Sequence, residues 1–224
     1  MQIVLFDIDG TLISSGGAGK AAMEAALVSE FGVPQVVRDI PYSGRTDRAI
    51  GKDLFAAHGI HESQENWLRF VEGYLGHLPD CLVRHTGQIL PGISSLLERL
   101  LDRPETAVGL LTGNLRAGAR LKLGHFDLYR HFDFGGFGDE HFDRDDVARE
   151  AWRAIQNRYD GTVRPEEIWV IGDTPLDIRC ARVIGARVAA VATGLHSLED
   201  LRAASPDLLV EDFSEAEEFL EKLE

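Results

Sequence analysis

The sequence predicts an α/β fold of three layers, a parallel sheet between two layers of helices, with a helical segment inserted after the first strand. Three observations predict it. Short β-rich apolar runs recur along the chain with helical patterns between most of them, and an acidic pair stands where the first run ends. An interval of about a hundred residues, far longer than one crossover requires, separates the first run from the second.

The first run covers residues 3–6 and passes directly into Asp7-Ile8-Asp9-Gly10-Thr11-Leu12. Within the long interval, Met23, Ala26, Leu27 and Phe31 have helical spacing, as do Ile50, Leu54 and Phe55, and then Trp67, Val71, Tyr74, Leu75 and Leu78. These patterns predict a helical subdomain over residues 15–90. It is reached through Ser14-Ser15-Gly16-Gly17-Ala18-Gly19 and left through Gly87 to Pro91-Gly92, composition suited to flexible connections. Residues 1–14 and 91–224 are expected to form the sheet domain. There, Ile93, Leu96, Leu97 and Leu100 predict a helix, residues 107–111 the second strand, and residues 132–137 the third. Val147, Ala151 and Ile155 predict the next helix, followed by strands at 168–171, 188–191 and 208–210 and an acidic helix over 215–223. Alternation of this kind makes the strands parallel and the core Rossmann-like, with ligands bound beyond the carboxyl ends of the strands. No internal repeat or low-complexity segment interrupts it.

Composition narrows the partners. The 224 residues, 44% of them hydrophobic, are enough for one substantial core with an inserted subdomain. A formal charge of −14 repels nucleic acid and anionic membrane surfaces, although a small charged ligand can still bind a locally positive cleft. Cys81 and Cys180 have no metal-ligand spacing and read as small buried apolar residues. No apolar run approaches the length of a membrane span, and the few apolar residues before Asp7 are too short for a signal peptide. A soluble, cytoplasmic protein is expected, as monomer or homodimer.

The acidic pair carries the chemistry. Residues i and i+2 of a strand lie on one side, so extended backbone through Asp9 projects both carboxylates from the strand's carboxyl end. An EF-hand reading fails, because counting from Asp7 the loop's position 6 is Leu12 and its position 12 is Ala18. After the second strand come Thr112, Gly113 and Asn114, a turn whose amides and hydroxyl could cradle a phosphate, or equally a turn with a helix N-cap. After the fourth come Gly172-Asp173-Thr174-Pro175-Leu176-Asp177, with Pro175 placed to open a helix. Asp7, Asp9, Asp173 and Asp177 crowded at one sheet mouth require a cation, and oxygen ligands in this setting suit Mg²⁺. With metal bound, one aspartate can attack phosphorus, while its neighbour serves as general acid and then base if its surroundings raise its pKa.

These motifs, in this order and strand context, resemble those of haloacid dehalogenase superfamily phosphatases. Asp7-Ile8-Asp9-Gly10-Thr11 matches the first motif, Thr112 the second, and Gly172-Asp173 with Asp177 the fourth. The resemblance implies Asp7 as nucleophile and Asp9 as acid/base with its backbone carbonyl on Mg²⁺. It implies Asp173 as a metal ligand, Asp177 supporting the metal directly or through water, and Thr112 with Asn114 near the phosphoryl oxygens. The third motif departs from the common Lys-Pro form: the region reads His141-Phe142-Asp143-Arg144-Asp145-Asp146-Val147, and Arg144 stands where the lysine would. A guanidinium there could hold the phosphoryl group and offset Asp7; Lys122 is a less well placed substitute. The resemblance also makes the helical insertion a mobile cap. Its Ser43-Gly44-Arg45-Thr46-Asp47 is similar to the substrate-facing loop of phosphoglycolate-phosphatase-like caps, which makes Arg45 a substrate contact and Thr46 an N-cap.

The expected function is Mg²⁺-dependent hydrolysis of a small phosphorylated metabolite through an aspartyl-phosphate. A dehalogenase is disfavoured, because those enzymes do not use the acid/base that Asp9 supplies. A sugar-phosphate mutase shares both carboxylates, and a non-catalytic Mg²⁺- or phosphate-binding module is the alternative from another class.

Overall fold

The computed structural model describes residues 1–37 and 39–223. In chain order the elements are β1 (Gln2–Phe6), β2 (Ile13–Ser14), α1 (Ala18–Phe31), α2 (Asp47–Ala57), α3 (Gln64–Arg84), β3 (Gln88–Ile89), α4 (Ile93–Leu101) and β4 (Thr106–Leu111). There follow α5 (Arg116–His125), β5 (Gly135–Gly136), α6 (Arg144–Arg158), β6 (Ile168–Gly172), α7 (Pro175–Val183), β7 (Arg187–Val191), α8 (Leu198–Ala203), β8 (Leu208–Val210) and α9 (Glu217–Glu221).

Among the described residues, six strands form one parallel sheet in the order β5-β4-β1-β6-β7-β8. β1 is buried on both faces, which is why it reads as a continuous apolar run. Ile3 and Leu5 face Val147, Ala151 and Ile155 of α6 and Ile178 and Ala181 of α7. Val4 and Phe6 face Leu96, Leu97 and Leu100 of α4, Ala119 and Leu123 of α5, and Phe219 and Leu220 of α9. Register then places the chemistry: Phe6 is level with Leu110 of β4 and with Ile171 of β6. The three following segments, beginning at Asp7, Thr112 and Asp173, therefore leave the sheet side by side at the point where strand order reverses.

The helices α1, α2 and α3 pack about a separate apolar cluster that includes Met23, Leu27, Leu54, Phe55, Phe70, Tyr74 and Leu78 and is joined by Leu115 at the start of α5. Two features differ from the sequence reading. The connections of this helical layer are not open linkers: β2 and β3 pair antiparallel, Ile13 with Ile89 and Ser14 with Gln88, tying the two chain segments together. The third strand is only Gly135–Gly136; around it Phe132 and Phe137 pack into the apolar cluster on one face of the sheet and Phe134 into that on the other. Among the described residues no helix is long and apolar enough to cross a membrane.

Candidate active site

A cavity of about 400 Å³ opens over the carboxyl ends of β1, β4 and β6, beneath the helical layer. Asp7, Asp9, Asp173, Gly113, Asn114, Arg144, Lys122 and Arg45 all line it. The turn that carries the acidic pair depends on Gly10, whose φ is +84° and where a Cβ would stand 2.4 Å from Asp173 Oδ2. Only glycine lets this backbone lie so close to Asp173. Thr193 steadies the same turn by donating to the Gly10 carbonyl at 2.6 Å.

Asp7, Asp173 and Asp177 offer carboxylate oxygens within 4.8 Å of one another, and all three residues are buried. Burial pushes the Asp7 carboxyl up to about 6, with Arg144 opposing and Asp177 adding to the rise. Burial likewise raises Asp173 to about 8, reinforced by Asp177 and Asp7. Carboxyls so placed are short of positive charge, and an all-oxygen donor set of this kind suits Mg²⁺. Asp177 differs from the other two. It lies behind the cavity, its Oδ2 accepts from the Thr174 amide at 3.0 Å and the Thr174 hydroxyl at 2.7 Å, and its Oδ1 accepts from Arg144.

Arg144 stands at the start of α6, buried, with Nη2 2.9 Å from Asp7 Oδ1 and also paired to Asp177. It is not a solvated charge among its acidic neighbours; Asp143 and Asp145 are instead taken up by Arg179 at 2.6 and 3.0 Å.

Asp9 faces the other way. Its side chain is 38% exposed, and Oδ2 accepts from Lys122 at 2.5 Å and from Asn114 Nδ2 at 3.0 Å, while Oδ1 accepts from Ser15 at 3.1 Å. Burial alone would raise this carboxyl, but the Lys122 ammonium and these hydrogen bonds hold it below the usual carboxylate range. The condition of a raised pKa is thus not met at Asp9, and the reason is Lys122. With its carboxylate turned to Lys122, Asp9 stays outside the cluster of carboxylate oxygens and could reach a metal there only through its backbone.

Thr112 does not line the cavity. Its side chain is wholly buried and Oγ1 accepts from Asn114 Nδ2 at 2.9 Å and the Asn114 amide at 3.3 Å. Asn114 in turn bridges Thr112, Asp9 and Lys122 rather than capping a helix. The amide of Leu115, just before α5, is met by Asp47 Oδ2 at 2.8 Å, and the Asp47 amide donates to the Gly113 carbonyl at 2.7 Å. Gly113 is required there, since a Cβ would stand 2.1 Å from the Arg45 carbonyl. Thr46 does cap α2, accepting from the Ala49 amide at 3.1 Å. Arg45 lines the cavity, but its guanidinium is committed within the helical layer, 2.8 Å from Asp53 and donating to the Pro41 carbonyl at 3.0 Å.

Lys122 and Asp47 are the two site residues that the sequence reading undervalued. Lys122 falls on the buried stripe of α5 with Gly118, Ala119 and Leu123. A lysine on an apolar stripe was the available signal, since such a residue is rarely buried without a partner.

The chain matches the family described as "Haloacid dehalogenase-like hydrolase" over residues 4–191. It is 28% identical over 216 residues to a phosphoglycolate phosphatase of Synechococcus elongatus, covering 94% of this chain and 93% of the relative. Its fold is similar to that of a hydrolase from Pseudomonas syringae, with a TM-score of 0.74 at 23% identity over 100% and 99% of the two chains. It is also similar to CbbY from Rhodobacter sphaeroides, solved in complex with phosphate, with a TM-score of 0.73 at 19% identity over 96% of each.

Proposed function

The chain belongs to the haloacid dehalogenase-like hydrolase family and is a phosphatase of it; we propose that it hydrolyses a small phosphate monoester, of the phosphoglycolate class, in two steps through an aspartyl-phosphate on Asp7. One observation carries the reading. A single buried guanidinium, Arg144, pairs with both Asp7 and Asp177 and lines the same cavity as Asp7, Asp9 and Asp173.

In the first step an Asp7 oxygen attacks phosphorus and the ester oxygen leaves. Arg144 holds Asp7 in place and offers positive charge to the transferring group. The first step draws on the protonated form of Asp9, which gives its proton to the leaving oxygen; the carboxylate so formed takes a proton from the attacking water in the second step. The hydrogen bonds to Asp9 favour its carboxylate, the form that second step needs. Asp7 and Asp173 would hold Mg²⁺, with the Asp9 carbonyl and with Asp177 directly or through water; when bound, the metal would supply positive charge that offsets the carboxylates and the phosphate. Gly113 and Asn114 border the phosphoryl position, and Thr112 acts through Asn114. We read residues 15–90 as a cap over residues 1–14 and 91–224, its Ser43 to Asp47 loop forming part of the cavity roof with Arg45 toward the leaving group.

A panel of phosphorylated metabolites, ranked by kcat/KM with Mg²⁺ present, tests the reading. Release of inorganic phosphate from a small ester is expected. No turnover of any ester, including an aryl phosphate, would point to a binding module, and transfer to a sugar phosphate instead of water would make it a mutase.

A further inference from the structure

Lys122 is given no step of its own in the scheme above, yet it is among the most constrained side chains of the site. It stands on α5, 4% exposed, with Nζ 2.5 Å from both Asp9 Oδ2 and Asn114 Oδ1. Asn114 closes a triangle by donating from Nδ2 to the same Asp9 oxygen at 3.0 Å, and is itself fixed by Thr112 Oγ1 at 2.9 Å. The helical layer makes room: at Gly19 of α1 a Cβ would stand only 3.1 Å from Lys122 Nζ. Asp47 of α2 adds a second negative charge whose field Lys122 feels.

A buried ammonium is costly unless paired, and a lysine has three donors to place. Two are spent here on Asp9 and on the amide that orients Asp9, while the nucleophile has its own cation in Arg144. We propose that Lys122 is a positioning residue: it fixes the Asp9 carboxylate toward the cavity, together with Asn114, and acts through Asp9 rather than on the phosphoryl group. Without it, Asp9 Oδ2 keeps Asn114 alone, and the Asn114 side-chain carbonyl loses the donor that sets which way the amide points. The inference rests on the reading of Asp9 as acid/base.

The experiment is a double-mutant cycle of Lys122→Met and Asp9→Asn at saturating Mg²⁺. Phosphoenzyme formed from an aryl phosphate is trapped by acid quench, and its hydrolysis is followed in a single turnover. Lys122→Met alone should slow that hydrolysis by about 10- to 100-fold. Added to Asp9→Asn it should change the rate by less than about twofold, since the residue it acts through is already disabled. Equal slowing in both backgrounds would overturn the proposal and place Lys122 on the phosphoryl group or in the general architecture. A lowered Tm with an unchanged rate per trapped phosphoenzyme would overturn it too, as a purely structural role. If Asp9→Asn alone hydrolyses its phosphoenzyme as fast as wild type, the reading of Asp9 falls and the inference with it. If Asp9→Asn is slow and Lys122→Met is not, the inference alone falls. Should Lys122→Met not fold, Lys122→Gln, which keeps a donor for Asp9, carries the same cycle with a smaller expected slowing.

Discussion

The two halves of the site answer the same problem, two carboxylates with one residue between them at a strand end, in opposite ways. On the side of α6 and α7, one guanidinium is shared between Asp7 and Asp177, with Asp173 close by, and burial holds Asp7 and Asp173 above the usual carboxylate range. On the side of α5, Asp9 has an ammonium at 2.5 Å and hydrogen bonds from Asn114 and Ser15, and it is held below that range. The first half is short of positive charge and the second is not. The difference teaches where a cation belongs: beside Asp7 and Asp173, where charge is uncompensated, and away from the Asp9 carboxylate, which already has its partner.

The largest effect expected from breaking the first half is on turnover. Asp7→Asn should lower kcat on the order of a thousandfold or more while leaving the fold intact, because an amide cannot replace the attacking carboxylate. Several per cent of wild-type kcat in protein freed of contaminating phosphatases would refute the assignment. Chelation should abolish activity, and Asp173→Ala should weaken Mg²⁺ binding, measured by titration calorimetry, more than it weakens substrate binding at saturating metal. Full turnover in excess chelator would contradict the charge argument.

The same shortage sets a pH dependence. Asp7 and Asp173 titrate at about 6 and about 8 in the folded protein against 3.8 in the unfolded chain, so the folded state binds more protons between these values. Stability present below pH 4 is therefore lost as pH rises through about 6 and about 8. In chelator, Tm should fall between pH 5 and pH 8 by on the order of 5 °C, and Mg²⁺ should restore it at pH 8 with little effect at pH 5. Calorimetric scans across that range decide it, and a metal effect of equal size at both ends would count against these two carboxyls as ligands.

Removing the shared cation sharpens the comparison further. Arg144→Met leaves Asp7 and Asp177 buried without a cation beside them and should cost about 3–5 kcal/mol, read by urea unfolding. A surface pair such as Arg99 with Glu217 should cost under about 1 kcal/mol when broken. Within the site the smallest effect is expected where the helical layer meets it: Asp47→Ala removes the acceptor for the Leu115 amide and should cost about 1 kcal/mol, with KM rising more than kcat falls. A fall in kcat alone would show that Asp47 serves the chemistry rather than the seating of α2.

Much of this was legible before any coordinates. Asp7 and Asp9 announced themselves by spacing at a strand end, and the alternation of apolar runs with amphipathic stripes implied the parallel sheet that brings Asp173 beside them. Arg144 could be placed at the third motif, with a solvated charge among Asp143, Asp145 and Asp146 as the weaker local reading, and in the structure Arg179 takes Asp143 and Asp145. Arg45, made a substrate contact by the resemblance of its loop, lines the cavity while its guanidinium is held by Asp53, a partner that the loop's own sequence does not reveal.

By itself the sequence determined the order of strands and helices, the acidic pair and the need for positive charge near it, because periodicity and residue type act locally along the chain. Only the tertiary structure decided which cation meets which acid. The partners are far apart in sequence: Lys122 and Asp9 are 113 residues apart, and Asp47 and Leu115 are 68 apart. Whether a carboxyl is raised or lowered depends on the charge a few ångströms away once water is excluded, and that is a property of packing that no stretch of sequence carries.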